Sequence, residues 1–354
     1  MTDIRIERAK TPKEKPDFSK LGFGKYFTDH MFMTDFKNGE WQDARIVPFG
    51  YIPIHPASTV LHYGAEIFEG MKAYRTADGF QMFRPYENAR RMNNSAERLC
   101  LPQIDEEFFV KAITELIKLD YDWIPDLPGT SLYIRPFTFG NDEALGVHAV
   151  HNATFVVILS PVGNYYAEGL NPVKISIEHE DVRAVRGGTG YAKCGGNYAA
   201  SLRAGKRAEE KGISQVLWLD GVERKYIEEV GSMNVMFKIG GEVITPKLTG
   251  SVLPGITRKS CIEILKDWGY KVSERLISVD ELCSAAKDGT LEEAWGTGTA
   301  AVVSPIGHLF YEGSDYEVSG NKIGELTQKL YDELTGIQWG KKPDTRNWVV
   351  KVKV

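Results

Sequence analysis

Cysteine is scarce in this chain. The four present, Cys100, Cys194, Cys261 and Cys283, are scattered over 354 residues and no two form a CxxC pair. Neither a disulfide framework nor a zinc site is therefore suggested. Long apolar runs are also missing: the most apolar stretch, Ala153 to Leu159, is far too short to span a bilayer. The N-terminal MTDIRIERAKTPKEKPDF lacks the apolar core of a secretion signal and is not an Arg/Ser-rich transit peptide, so a cytoplasmic location is the expectation. No excess of positive charge exists, since 43 Lys and Arg stand against 48 Asp and Glu, a net −5. That balance gives no support to a nucleic acid or an anionic membrane as partner. There is no P-loop, no G-x-S-x-G elbow, no H-E-x-x-H, no internal repeat and no low-complexity segment. The seven histidines include one close pair, His148 and His151, with no carboxylate at ligand spacing beside it, so no metal is expected.

What is present is a soluble globular chain, 42% hydrophobic and 26% charged, long enough for about two domains. Residues 1–20 are polar and proline-interrupted, which predicts a loosely held arm. Gly22 to Pro56 reads as short strands with a turn at Asn38-Gly39. Met71–Ala77 and Phe80–Phe83 flank Asp78-Gly79 as a hairpin. Glu87 to Leu101 is helical, stopped by Pro102, and Asp105 caps the next helix. Ser131 to Phe139 alternates as a strand, with Tyr133, Arg135 and Phe137 on one face, and Ala153–Leu159 reads as a central strand. Pro161 to Pro172, turn-rich and without either period, is the linker candidate. It divides a smaller N-terminal domain, 1–160, from a larger C-terminal one, 173–354.

Later segments predict strands Val173–His179 and Ser214–Leu219, and a pair Asn234–Ile239 and Glu242–Thr245 across Gly240-Gly241. A helix Thr257–Trp268 opens after Pro254-Gly255, Ser278 starts a capping box, and the last helix is Lys322–Leu334. Hairpins mixed with helices argue for two α+β domains rather than a regular βαβ array.

Glycines cluster most densely in GGTGYAKCGGNYAASL, Gly187 to Leu202, around Lys193. Such density marks backbone that turns tightly or is closely approached. A helix from roughly Asn197 to Lys211 should follow, with Gly212 just past its end. Lys193 is either a solvated loop lysine or, in a desolvated turn, an amine of lowered pKa able to form a Schiff base. GTGTAA, Gly296 to Ala301, reads as a second glycine-rich loop. It formally matches a dinucleotide fingerprint, but an apolar strand follows it where that fingerprint needs a helix. Arg84, Arg90, Arg91 and Arg98 are either solvated helix arginines or include one aimed at a phosphate. Arg135 beside Tyr133 could bind a carboxylate or make an edge-strand salt bridge.

Several long blocks occur in order: LHYGAEIFEGMKAY (61–74), FRPYENARRM (83–92), SLYIRPF (131–137), KCGGNYAASL (193–202), EEVGSMN (228–234), LPGITR (253–258) and GTGTA (296–300). Together they resemble the branched-chain amino acid aminotransferases, fold-type IV enzymes of the class IV family that use pyridoxal 5'-phosphate. The resemblance runs from Phe23 to Ile306. It implies a two-domain α+β fold like that of D-amino acid aminotransferase, with the cofactor at the domain interface and a homodimeric assembly. The implied reaction is amino transfer between L-leucine, L-isoleucine or L-valine and 2-oxoglutarate, within branched-chain amino acid biosynthesis or breakdown.

By that resemblance Lys193 holds the cofactor covalently, Tyr198 meets its phenolic oxygen and Glu229 its pyridine nitrogen. Arg91 corresponds to the phosphate-binding arginine, helped by the N–H groups of Ile256 and Thr257 and by Thr297 or Thr299. Ser232 stands at a cofactor position where many members have threonine. Phe23, Tyr63, Phe68, Tyr133 and Tyr165 wall the side-chain pocket. Arg135 meets the distal carboxylate of glutamate, and the Thr299–Ala300 backbone the substrate's α-carboxylate. Mammalian members carry a CxxC pair where Ala301 and Ser304 stand here, so thiol regulation is not implied. Other readings are a D-amino acid aminotransferase or aminodeoxychorismate lyase of the same fold, a nicotinamide-dependent oxidoreductase using GTGTAA, and a non-catalytic binding protein. The SLYIRP and EEVGSMN blocks favour the branched-chain enzyme.

Overall fold

Turn chemistry frames the first sheet. Asn38 and Gly39 both take positive φ, 55° and 84°, as a tight hairpin turn requires. Across them His30–Lys37 and Glu40–Pro48 pair antiparallel. Met71–Thr76 pairs antiparallel with Gly79–Phe83, but Thr76 pairs with Gly79, so the two-residue turn is Ala77-Asp78 and not the expected Asp78-Gly79. A computed structural model describes residues 3–163 and 170–354. They form two compact units: 3–163 with 192–195 and 336–354, and 170–191 with 196–335.

In the first unit nine strands form one sheet. Its order is Arg5–Ile6, Glu40–Pro48, His30–Lys37, Ala153–Val162, Ser131–Gly140, Met71–Thr76, Gly79–Phe83 and Val349–Lys353, with Glu66–Phe68 on Ser131–Gly140. Ala153–Val162 pairs on both edges and is buried almost throughout, as a central strand should be. Helix Glu106–Leu119 starts where Asp105 accepts from the Phe108 N–H at 2.8 Å. It buries Phe109, Ile113 and Leu116, each 0% exposed, against Phe32 and Phe155. Truncating Phe109 to alanine there should cost about 3–5 kcal/mol. Helix Pro85–Arg98 packs in the same core through Ala89, Met92 and Ala96.

The second unit carries its own nine-stranded sheet. The order is Ile227–Val230, Gln215–Leu219, Val173–Ile177, Val302–Tyr311, Leu291–Gly298, Asn234–Ile239, Glu242–Pro246 and Val272–Arg275, with Ser314–Glu317 on Val302–Tyr311. Parallel and antiparallel pairs mix, so each unit is α+β and neither is a βαβ array. The Ser278 hydroxyl accepts from the Glu281 N–H at 3.1 Å and starts helix Val279–Lys287. Helix Ile256–Asp267 starts at Gly255 and is followed by Gly269 at φ 81°.

Several expectations are corrected. Residues 1–20 are no loose arm throughout: Arg5–Ile6 pairs parallel with Glu40–Pro48, and the Ala9 N–H donates to His30 Nε2 at 2.9 Å. The expected helix over 197–211 is two pieces, Gly195–Ala199 and Leu202–Glu209. Gly296–Gly298 is the end of a strand, not a loop, because Gly296 and Thr297 pair with Val235 and Asn234 on one side and Ser304 and Val303 on the other. A strand, Val302–Tyr311, follows Ala301, so the dinucleotide reading fails on its missing helix. The last helix, Glu325–Gln338, starts and ends later than its apolar spacing suggested. No helix among the described residues is long and apolar enough to cross a membrane.

Candidate active site

The Lys193 turn is sewn by its backbone to two elements of the first unit. The Lys193 N–H donates to Ser95 Oγ at 2.9 Å, and its carbonyl accepts from the Phe68 N–H at 2.9 Å. Cys194 bridges Ile67, and the Gly195 N–H donates to Glu66 Oε2 at 2.9 Å. A Cβ at position 195 would lie 2.6 Å from that carboxylate oxygen, which explains the glycine. Lys193 is thus fixed against strand Glu66–Phe68 and helix Pro85–Arg98 rather than waving in a loop.

The Lys193 ammonium lies 4.8 Å from the centre of the Phe68 ring. Burial lowers its pKa from 10.5 to about 8, and the neighbouring Arg91 charge adds to the effect. Glu69 and Tyr133 oppose the shift, while Arg135 reinforces it. Arg91 is itself 7% exposed. Its Nε and Nη2 donate to the two oxygens of Glu69, both at 2.8 Å, and Asn88 Nδ2 adds a third bond at 2.8 Å. Burial pushes the Glu69 carboxyl up, but Arg91, Lys193 and Asn88 outweigh it and hold it below the usual carboxylate range. Sequence reasoning does not single out Glu69, Asn88 or Ser95. Their only signal is membership of the blocks FEGM and ENARRM and the stretch just after it.

Beside Lys193, Arg135 Nη2 donates to the Tyr133 hydroxyl at 3.0 Å, so the two share a face as the alternation predicts. The Arg135 guanidinium lies 4.7 Å from the Phe68 ring centre, and its buried Nε has no hydrogen-bond partner. Phe23 meets Tyr133 edge-on at 4.9 Å. Gly70 is required here, since any Cβ would collide with the Tyr133 hydroxyl. Tyr63 is 43% exposed, and its hydroxyl donates to the carbonyl of Leu145. Tyr165 lies outside the described residues.

The second unit holds another buried cluster. Glu229, 3% exposed, accepts from Arg183 and from Asn234 Nδ2, the latter at 3.1 Å. Arg183 also donates to the Gly190 carbonyl at 3.3 Å. Glu228 faces the other way along the strand: it accepts from Ser251 and lines a cavity of about 350 Å³ with Arg186 and Lys247. Burial raises its pKa, against the pull of Ser251 and Arg183. Arg183 escapes the sequence reading because it lies 46 residues from Glu229 with no local pattern joining them, whereas Asn234, five residues on, closes the EEVGSMN block without being singled out.

Asn234 also connects Glu229 to a helix start. Its Nδ2 donates to the Leu253 carbonyl at 2.9 Å, and a Cβ on Gly255 would run into its side-chain oxygen. Gly255 therefore begins helix Ile256–Asp267 with no side-chain cap for the N–H groups of Ile256 and Thr257. Thr297, paired in register with Asn234, has a buried hydroxyl without a hydrogen-bond partner. An uncapped helix N-terminus beside an orphan hydroxyl fits an anion such as phosphate. Thr299 and Ala300 form the turn after this strand, Ser232 is exposed in the turn between strands Ile227–Val230 and Asn234–Ile239, and Tyr198 is partly buried in helix Gly195–Ala199.

The amino-transferase class IV family model matches residues 66–309. The chain belongs to the class IV aminotransferases. It is 54% identical over 351 residues to branched-chain-amino-acid aminotransferase 2 of Bacillus subtilis, covering 99% of this chain and 97% of that one. It is 53% identical to a probable branched-chain-amino-acid aminotransferase of Staphylococcus aureus, covering 99% and 98%. The crystal structure of the Escherichia coli branched-chain aminotransferase superposes with a TM-score of 0.76 at 27% identity, over 91% of this chain and 99% of that one. The T.th. branched-chain amino acid aminotransferase complexed with N-(5'-phosphopyridoxyl)-L-glutamate superposes at 0.74, with 28% identity over 94% and 98%.

Proposed function

We infer that this class IV aminotransferase is a branched-chain-amino-acid transaminase. It exchanges the amino group of L-leucine, L-isoleucine or L-valine with 2-oxoglutarate, using pyridoxal 5'-phosphate. The observation that carries the reading is the half-buried, desolvated Lys193, its pKa lowered to about 8, set among Phe68, Arg91 and Glu69. Close full-length relatives of that name support the substrates. The solved structure with the phosphopyridoxyl group supports the cofactor.

The residues fit the cofactor's three ends. Lys193 supplies the amine. In the second unit the uncapped N–H groups of Ile256 and Thr257 and the orphan hydroxyl of Thr297 suit a phosphate, with Thr299 two residues on from Thr297; Arg91 would supply the guanidinium. Glu229, held by Arg183 and Asn234, would meet the pyridine nitrogen and keep its proton in place. Tyr198 would bond the phenolic oxygen, and Ser232 would offer a hydroxyl to the cofactor. When bound, the cofactor supplies an electron sink for charge developing on the substrate Cα.

The chain's residues do the rest. A pKa near 8 raises the neutral fraction of Lys193 at pH 7 from roughly 1 in 3000 to about 1 in 10. Lys193, as a neutral amine, would accept the Cα proton of the bound amino acid and hold it for return. Phe23, Phe68 and Tyr133 would exclude water and favour a branched apolar side chain. The Thr299–Ala300 backbone receives the α-carboxylate. Arg135, whose Nε has no partner, receives the distal carboxylate of glutamate or 2-oxoglutarate.

The protein acts as a homodimer in the cytoplasm on this reading, without nucleic acid or membrane. The test is an absorption spectrum of the purified protein. A visible band from bound cofactor should bleach with L-leucine and return with 2-oxoglutarate. A protein without the band, or one bleached by D-amino acids alone, would overturn the assignment.

A further inference from the structure

The hairpin loop 141–152, between strands Ser131–Gly140 and Ala153–Val162, carries a cluster that transamination does not use. Along the sequence His148 and His151 have no nearby carboxylate at ligand spacing. The fold corrects this by turning the loop back on itself. Asp142, His148 and His151 each offer a ligand atom, and the three atoms lie within 4.8 Å of one another.

The cluster is built as a metal site is built, outward to its supporting bonds. Asp142 is 5% exposed and its carboxylate is fixed by the chain. Oδ2 accepts from the His151 N–H at 3.0 Å, and Oδ1 from the Asn152 N–H and Nδ2 at 2.9 and 2.8 Å. Each carboxylate oxygen has two lone pairs, so Oδ2 keeps one for a cation. His148 Nδ1 lies 2.7 Å from the Ala149 carbonyl. A carbonyl can only accept, so Nδ1 carries the proton and Nε2 presents its lone pair. A ring N–H given to a backbone carbonyl is the usual support of a metal-binding histidine. The His148 and His151 rings stack at 5.3 Å and 22°, both exposed. The loop's two ends are already clamped, by the Asn141 N–H to the Asn152 carbonyl at 2.9 Å and by the Gly140–Ala153 pair.

We propose that Asp142, His148 and His151 form a binding site for one divalent first-row transition metal ion, with zinc as the physiological class. Two imidazoles and one carboxylate suit first-row ions such as zinc, iron(II), cobalt and nickel, whereas magnesium and calcium take oxygen ligands. Metal bonds of about 2.0–2.2 Å would bring the donors closer than 4.8 Å, and rotation of two exposed histidine side chains supplies that movement. Three protein ligands leave a fourth position for water. The ion pins the loop apex that bears Leu145, whose carbonyl Tyr63 holds.

The experiment uses the full-length, cofactor-loaded protein, stripped with chelator and dialysed against graded Zn²⁺, with metal and protein assayed together. One zinc per chain should bind. His148→Gln and His151→Gln should each weaken it by at least about 100-fold, since even supporting residues contribute 10–100-fold. Cys100→Ser, which removes an exposed thiol that could itself take zinc, should change nothing. Mg²⁺ should not compete. Co²⁺ should give visible bands that both histidine variants lose. Less than one zinc per chain, binding unaltered in both histidine variants, binding lost in Cys100→Ser, or competition by Mg²⁺ overturns the proposal.

Discussion

Both units bury an arginine–glutamate pair, and the two pairs have opposite roles. In the first, the carboxylate serves the arginine: Glu69 takes both arms of Arg91, which faces Lys193 and helps depress its pKa. In the second, the arginine serves the carboxylate: Arg183 and Asn234 hold Glu229 in one orientation. Burying either pair costs desolvation energy, so neither is explained as a stabilising device. On the proposed function, each pair positions the partner that the chemistry needs: the first conditions an amine that would lose and gain protons, and the second fixes an anion that would stay put.

The largest test strikes the amine itself. Lys193→Ala should lower turnover by at least about 10³-fold, since it removes both the covalent anchor and the proton carrier. Borohydride reduction of the loaded protein, then peptide mapping, should label Lys193. Lys72 is the instructive rival, because burial lowers its pKa to about 8 as well. Its shift comes from burial alone, without the Arg91–Glu69 pair, so a label on Lys72 would sink the assignment.

The next test separates the two faces of one strand. Glu229→Gln should reduce kcat by about 10²–10³-fold, because the ring nitrogen loses its charged partner. Glu228→Gln should reduce it by less than about 10-fold, since its bond runs to Ser251 on the opposite face. Equal losses would show that the second pair does not set the anion.

Much of this is legible in the chain. The hairpin turns at Asn38-Gly39 and Gly240-Gly241, the Asp105 cap and the Tyr133–Arg135 face rest on local chemistry, and each is found. The strand Val349–Lys353 has no such local signal: VVKVK is short and half polar, and it forms on an edge offered by Gly79–Phe83, about 270 residues away. The same limit hides Glu69 from Arg91 and Asp142 from His151, because loops decide which side chains meet. GTGTA reads as a loop through its glycines, whereas the ladder to Asn234 and Val303 keeps Thr297 in a strand.

A smaller effect is expected at Arg135. Removing a charge-assisted contact worth about 1.5–3 kcal/mol should lower kcat/KM for 2-oxoglutarate by roughly 10-fold to 150-fold in Arg135→Ala. The half-reaction with L-leucine should fall much less, since Phe23, Phe68 and Tyr133 remain. Single-turnover spectra with leucine and glutamate separate the two. Equal losses would make Arg135 a structural residue or the holder of the shared α-carboxylate.

The smallest effect sharpens the comparison most, because it changes one charge in the first pair. Glu69 raises the Lys193 pKa while burial and Arg91 lower it. Glu69→Gln deletes the raising charge and leaves Arg91 in place. The Lys193 pKa should then move further down, and the neutral fraction at pH 7 should rise. The readout is the pH dependence of reductive methylation of Lys193 in cofactor-free protein, followed by peptide mapping. The midpoint should lie near 8 in the native chain and lower in the variant. The stability of the cofactor-free protein should follow the same sign. A lysine whose folded pKa is below its unfolded 10.5 holds fewer protons when folded, so stability rises with pH between about 8 and 10.5. In Glu69→Gln that rise should begin at lower pH, and in Lys193→Met it should shrink. A midpoint that moves upward in Glu69→Gln would mean that Arg91 swings away once released, and that Glu69 matters by holding the arginine rather than by its own charge.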